Sequence, residues 1–132
     1  PRPDNDIITA VSSPAALNEI SIALAKSIKD ISPAFVVVDS ASTILLQSPR
    51  LYEKFFHVII GKLRSYSIKS VLLLEEGIHS EKEIAVLESL TSMTLRFIEE
   101  GREKYVEIRG MGSEQRSAYE VHDGKLTFKQ LA

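Results

Sequence analysis

The 132-residue sequence predicts an α/β fold: a mostly parallel sheet from residue 6 to about residue 75, flanked by helices and continued by antiparallel strands to residue 128. Three observations predict it. Two apolar runs, Phe35-Val36-Val37-Val38 and Val71-Leu72-Leu73-Leu74, have no polar alternation and end in acids, Asp39 and Glu75-Glu76. Such runs suit strands buried on both faces, the habit of parallel sheets covered by helices. Apolar stripes at helical spacing precede and separate the two runs. Past residue 91 the period changes to two, with turn signals between the segments.

The elements follow in order. Residues 1–5 (Pro1-Arg2-Pro3-Asp4-Asn5) read as an extended lead-in. Asp6 to Val11, with Ile7, Ile8 and Val11 apolar, predicts a short first strand. Ser12-Ser13-Pro14 is a helix start, because Ser13 can cap and Pro14 suits a first-turn position that needs no N–H. Leu17, Ile20, Leu24, Ile28 and Ile31 then carry a helix to about residue 30, and Ser32-Pro33 stops it. Strand, helix and the Phe35 strand imply a right-handed crossover if the strands are parallel.

After Asp39, residues 40–48 read as a polar loop, and Ser48-Pro49 repeats the helix-start device. Tyr52, Phe55, Phe56, Ile59, Leu63 and Tyr66 form a stripe spaced three and four apart, so this helix should be a main packing element. Ser70 to Leu74 is the second apolar strand. Ser80-Glu81-Lys82-Glu83 has capping-box spacing and predicts a helix from Glu81 to about Leu90. Met93, Leu95 and Phe97 alternate with Thr94, Arg96 and Ile98; Glu100-Gly101 marks a turn; Val106 and Ile108 share the face of a next strand. Tyr119 and Val121 lead into Asp123-Gly124, a strong two-residue hairpin signal, and on to Leu126 and Phe128. Gly110-Met111-Gly112-Ser113 is the best candidate for a mobile loop.

Composition excludes several classes of function. The length suits one domain with a proper core. Apolar content of 44% and charged content of 26% are ordinary for a globular protein. No apolar run approaches the ~20 residues of a membrane span, and no signal-peptide pattern opens the chain. The absence of cysteine removes disulfides, thiolate metal sites and a cysteine nucleophile. A cytoplasmic location is compatible with this. A net charge of -2 gives no general pull on nucleic acid. The chain begins at Pro1 without an initiator Met, as a fragment or a processed form would.

An apolar strand ending in Asp is the Walker B pattern, where the carboxylate holds magnesium beside nucleotide phosphates. Acids also follow buried strands simply because the chain has reached solvent. Glu75 and Glu76 could be paired carboxylates for acid–base work, but they equally mark a solvated exit and a helix approach. His57, His79 and His122 are scattered and lack metal-ligand spacing. No G-x-S-x-G elbow supports a hydrolase triad. Residues 96–116 hold Arg96, Arg102, Lys104, Arg109 and Arg116 against as many acids, a salt-bridged strand face rather than a nucleic-acid patch.

The order of strand, helix, Val38-Asp39-Ser40, loop, long helix, second apolar strand, helix and a late strand with Glu107-Ile108-Arg109-Gly110 resembles the C-terminal half of the RecA-like ATPase domain of KaiC-type proteins. The resemblance covers about residues 6 to 128. It implies a single RecA-like domain over residues 1–132, truncated or degenerate. In that family the Walker B strand commonly ends in Asp-Ser. A late Lys-x-Arg-Gly element reaches the nucleotide of a neighbouring subunit in a ring. By resemblance, Asp39 and Ser40 are candidate nucleotide and magnesium residues, and Arg109 a candidate phosphate contact.

The departures are equally specific. No G-x-x-x-x-G-K-[ST] occurs in the 132 residues, so no P-loop lysine and no cradle of backbone N–H groups is encoded. The family's catalytic glutamate falls ahead of this sequence. Glu107 stands where the family has its lysine, which reverses the charge. The expectation is therefore a degenerate KaiC-like ATPase-family domain without ATPase activity of its own. It would act as a binding, assembly or regulatory module in signalling, with a homo-oligomer or a protein partner, and with no nucleic acid or membrane. Mg-ATP would be a cofactor only if a P-loop lies upstream. The alternative is the C-terminal portion of an active P-loop ATPase. A third possibility is an unrelated small α/β regulator that uses the Asp39 edge for another ligand.

Overall fold

The computed structural model describes residues 9–130. Its elements run α1 (Leu17–Ile31), β1 (Phe35–Val38), α2 (Ala41–Gln47), α3 (Tyr52–Ser65), β2 (Lys69–Leu72), α4 (Glu81–Leu90), β3 (Met93–Glu100), β4 (Glu103–Gly110), β5 (Ser113–His122) and β6 (Lys125–Gln130). The chain divides into two compact units, residues 1–84 and 85–132.

In the first unit β1 and β2 pair in parallel, Phe35 opposite Lys69 through Val38 opposite Leu72. The ladder continues beyond both strands: Leu73 N–H donates to the Val38 carbonyl at 3.0 Å and Ala41 N–H to that of Leu73 at 2.8 Å. Helix α3 forms because its apolar residues recur every three to four positions. Tyr52, Phe55, Phe56, Ile59, Ile60 and Leu63 are all buried on one side. The Phe55 and Phe56 rings meet edge to face at 5.2 Å. Ile28, Leu63 and Ile68 form a core cluster, with Leu24 and Val36 packed against it.

Several expectations need correcting here. Of the expected first strand, residues 6–8 lie outside the described residues, and Thr9 to Val11 form no strand and are exposed. Helix α1 begins at Leu17, three residues after Pro14. Ser13 accepts from Ala15 N–H at 3.0 Å and closes a preceding turn, leaving Ala16 as an N-cap without a side-chain bond. The stop at Ser32 is as expected: its backbone is left-handed, φ 50°, and its N–H closes on the Ile28 carbonyl. Residues 41–47, expected as loop, are helix α2, capped by Ser40, whose Oγ accepts from Thr43 N–H. The helix after Ser48-Pro49 starts only at Tyr52. The parallel sheet has two strands among the described residues, so "mostly parallel" holds for this unit alone. Strand β1 is not buried on both faces, since Phe35 and Val37 are open.

Helix α4 opens with the expected capping box. Ser80 N–H donates to Glu83 Oε1 at 3.0 Å and Glu83 N–H to Ser80 Oγ at 3.1 Å. The Ser80 backbone N–H first, and then the Ser80 hydroxyl, hold the Glu83 carboxyl below its usual range.

The second unit is an antiparallel meander in the order β3-β4-β5-β6. Its registers place Met93, Leu95, Phe97, Val106, Ile108, Tyr119, Val121, Leu126 and Phe128 on one face. The other face carries ion pairs: Arg96 with Glu107 at 3.8 Å, Arg116 with Glu100 at 3.2 Å, and Lys129 with Glu120 at 2.8 Å. Arg116 also lies 4.4 Å over the Tyr105 ring, whose hydroxyl donates to Glu103. Asp123-Gly124 makes the predicted tight turn with both φ positive, 50° and 74°. The segment expected as a mobile loop is a second turn of this kind. Gly110 pairs with Ser113 across it, and Met111 and Gly112 have φ of 54° and 76°.

Candidate functional site

The candidate site of the first unit lies where β1 and β2 run out at their carboxyl ends, the usual ligand edge of an open α/β sheet. The apolar run of β1 stops at Asp39, which is exposed. The Asp39–Ser40 peptide is cis. Ser40 turns the chain into α2, its Oγ 3.3 Å from Thr43 N and 3.2 Å from Thr43 Oγ1. Its hydroxyl therefore serves as a helix cap.

Two further residues shape this edge, and neither was singled out as a site residue in the sequence. Ser42 is 3% exposed. Its Oγ accepts from Glu75 N–H at 2.7 Å and lies 2.7 Å from His79 Nε2. One buried hydroxyl on α2 thus ties down the loop that leaves β2, fixing the backbone at Glu75 and the ring of His79. His79 Nδ1 is buried and has no partner among the described residues. A serine beside an imidazole can serve as a nucleophile, but Ser42 is closed to a substrate and its imidazole has no third group orienting it. The pair acts as a clamp. Sequence reasoning had no signal for it, because residues 42 and 79 meet only through the parallel pairing of β1 and β2.

Arg109 lies on β4, in the second unit. Its guanidinium is 3.7 Å from Glu88 Oε1, and Glu88 Oε2 accepts from the Thr94 hydroxyl at 3.2 Å. Glu107, two residues before it, is engaged by Arg96. Asp39 and Ser40 therefore sit at the end of the parallel pair in one unit, and Arg109 in an ion pair on the meander of the other. His57 and His122 are exposed, and His122 lies 3.2 Å from Glu120. Among the described residues no group of three or more His, Cys, Asp or Glu could hold a metal. No helix among them is long and apolar enough to cross a membrane. A shallow cleft of about 360 Å³ between α1 and α3 is lined by Ala25, Lys26, Lys29, Lys62 and Tyr66. The last turns of both helices contribute to it, where lysines meet the negative ends of the helix dipoles.

No family model and no curated protein matches the chain. Among solved structures, the chain is similar to the KaiC-like protein PH0186 from the hyperthermophilic archaeon Pyrococcus horikoshii OT3. The TM-score is 0.67 at 18% identity, and the match covers 86% of this chain. It covers 54% of the other, so this chain spans about half the length of that structure. At this identity the likeness is one of fold. The described elements form an α/β fold similar to that of this KaiC-like structure, with a short parallel sheet and a four-stranded antiparallel sheet.

Proposed function

We propose that this chain is a degenerate KaiC-like ATPase-family domain that works in the cytoplasm as a binding and assembly module in regulation. Asp39, Ser40 and Arg109 are its vestigial nucleotide-binding candidates. One observation carries the proposal. In a KaiC-like fold, the acid that ends the apolar strand, Asp39, is exposed at the ligand edge with Ser40 capping the next helix. The 132 residues meanwhile encode no phosphate cradle. Mg-ATP does not fit the residues present. The acids into which β1 and β2 run, Asp39, Glu75 and Glu76, could attract magnesium but would repel phosphates. Glu107 adds a negative charge where the resemblance calls for a lysine. RecA-like domains usually assemble face to face, so a homo-oligomer belongs to the same proposal.

The test is calorimetric titration of Mg-ATP into the 132-residue chain, with Asp39→Ala as control. The expected result is no binding tighter than about 1 mM. Micromolar binding abolished by Asp39→Ala would overturn the proposal, because a working site would then exist without a P-loop.

A second reading is favoured by the span of the structural match. A chain that covers 54% of a KaiC-like protein could be the C-terminal portion of an active P-loop ATPase. A G-x-x-x-x-G-K-[ST] upstream in the complete reading frame would decide for it. Asp39 would then be the magnesium residue and Arg109 a phosphate contact acting on a neighbouring subunit.

A further inference from the structure

Helices α1 and α3 lie side by side and run in the same direction. Toward their ends, Ile28 and Leu63 share the core cluster. At their starts, Leu17 and Asn18 line a shallow cleft of about 310 Å³ together with Leu51, the residue that precedes α3. The lysine-lined cleft described above opens between their C-terminal halves. The two clefts are the ends of one groove. On the α1 side it runs from Asn18 to Lys29, about 16 Å or three helical turns.

This groove is apolar along its middle and basic at one end. Ile22 lies one turn before Ala25 and Lys26, and Val58 one turn before Lys62. Both are open to solvent, at 70% and 53%, and Leu51 and Tyr66 are exposed as well. Lys26 and Lys29 stand on one rim of the basic end and Lys62 on the other. On the meander, Arg96, Lys104, Arg109, Arg116 and Lys129 are each paired with a glutamate. Among the described residues none of the three groove lysines has such a partner. Asp30, four residues after Lys26, makes no ion pair with it. Glu19, at the other end of the groove, is tied to the Ser12 N–H and hydroxyl, both at 2.9 Å. The helix dipole accounts for Lys29 and Lys62, which lie in last turns, but Lys26 stands before that reach.

As a deepening of the binding-module reading above, on which it rests, we infer that the α1–α3 groove docks an amphipathic helix of a partner protein. That helix is about three turns long, lies antiparallel to α1 and α3, and is acidic in its first turn. Its apolar stripe packs over Ile22, Ala25 and Val58, and its first-turn carboxylates meet Lys26, Lys29 and Lys62. The antiparallel orientation sets its positive N-terminal end against the negative ends of α1 and α3, and acids in its first turn suit its own dipole. A concave groove with cations on both rims fits a rod, whereas a membrane surface would call for an amphipathic face that is flat or convex.

The test titrates a synthetic amphipathic peptide of about 14 residues, with glutamates in its first turn and leucines at helical spacing, against the 132-residue chain by fluorescence anisotropy. Saturable binding is expected with a Kd of about 100 µM or tighter. A peptide with glutamine in place of glutamate, or with the glutamates moved to the last turn, should bind about tenfold more weakly. Lys26→Glu/Lys29→Glu should weaken the acidic peptide by at least about tenfold and abolish its advantage over the glutamine peptide. Ile22→Gln should weaken both peptides about fivefold and leave that advantage intact. The substituted positions are exposed, so each variant should melt within about 2 °C of the unsubstituted chain. Should the charge reversal unfold the chain, Lys26→Gln/Lys29→Gln decides, with an expected loss of about threefold for the acidic peptide.

No saturable binding below about 1 mM, equal binding of the acidic and glutamine peptides, or binding untouched by the substitutions would overturn the inference. So would lysine-dependent adsorption to anionic phospholipid vesicles without peptide binding. A dimer of this chain that Ile22→Gln dissociates would overturn it too, because a second copy would then fill the groove. Asp39 and Ser40 lie at the opposite end of β1 from the lysines, and no readout uses nucleotide. A failed Mg-ATP prediction therefore leaves the peptide titration to be judged by itself, and a failed peptide titration leaves the nucleotide prediction standing.

Discussion

The two sheets of this protein solve the same problem differently. The β1–β2 pair is short, parallel and apolar on both faces, and α-helical residues cover only one of them. The β3–β6 meander is antiparallel and alternates, with apolar residues on one face and ion pairs on the other. The difference teaches where burial must come from. An alternating sheet can meet water on its charged face, so it needs one cover. A continuous apolar strand needs two; among the described residues β1–β2 has one of its two covers, and the apolar face of the meander is itself about half open at Leu95, Phe97, Val121 and Phe128.

The sharpest way to break this comparison is truncation of an aromatic residue in each unit. Phe56 is fully buried in the helix layer beside the parallel pair, and Phe97 is 51% exposed on the apolar face of the meander. Phe56→Ala should cost about 3–5 kcal/mol in a denaturant titration, because it leaves a cavity in a packed core. Phe97→Ala should cost about 1 kcal/mol, since half of its surface is already in water and its edge-to-face contact with Tyr119 is lost. Equal losses would mean that the meander face is as closed as the helical core.

A smaller effect is expected at a turn of the meander. Gly110 has φ 142°, and a Cβ there would stand 2.4 Å from the Ser92 carbonyl oxygen. Gly110→Ala should therefore destabilise by about 1–3 kcal/mol, measured as a shift in denaturant midpoint. An unchanged midpoint would show that the start of β3 can move away at little cost.

The smallest effect concerns pH. Ser80 holds the Glu83 carboxyl below the usual carboxylate range, first through its backbone N–H and then through its hydroxyl, with nearby His79 adding a weaker pull. A depressed carboxyl contributes stability above its unfolded value, and that stability is lost as pH falls through the lowered folded value. Wild-type helix content should therefore drop further on acidification below about pH 4.5 than that of Glu83→Gln, which keeps a capping acceptor without the titration. Identical acid transitions of the two proteins would remove this account.

Much of the fold was legible because its signals are local. The α3 stripe, the Ser80–Glu83 box, the Asp123-Gly124 turn and the β3–β6 alternation each depend on residues close in sequence. The misses were of two kinds. Residues 41–47 contain no charged residue and read as loop, yet Ala41, Ser42, Ile44 and Leu45 form the buried side of α2. Gly110-Met111-Gly112-Ser113 reads as a mobile loop, yet Gly110 pairs with Ser113 across a two-residue turn. Asp39 was legible as the acid at the end of an apolar strand. The Ser42–His79 clamp beside it was not.

The sequence by itself determined the element order, the apolar runs with their terminal acids, and the lack of a phosphate loop motif in these residues. Those properties reside in neighbouring residues and their periodicity. Tertiary structure decided the rest. It made the run of β1 half-open instead of buried, joined Ser42 to Glu75 and His79 across 33 and 37 positions, and engaged Arg109 with Glu88. Periodicity states that a strand is apolar on two faces. Only the packing of elements distant in the chain states whether both faces have found a cover.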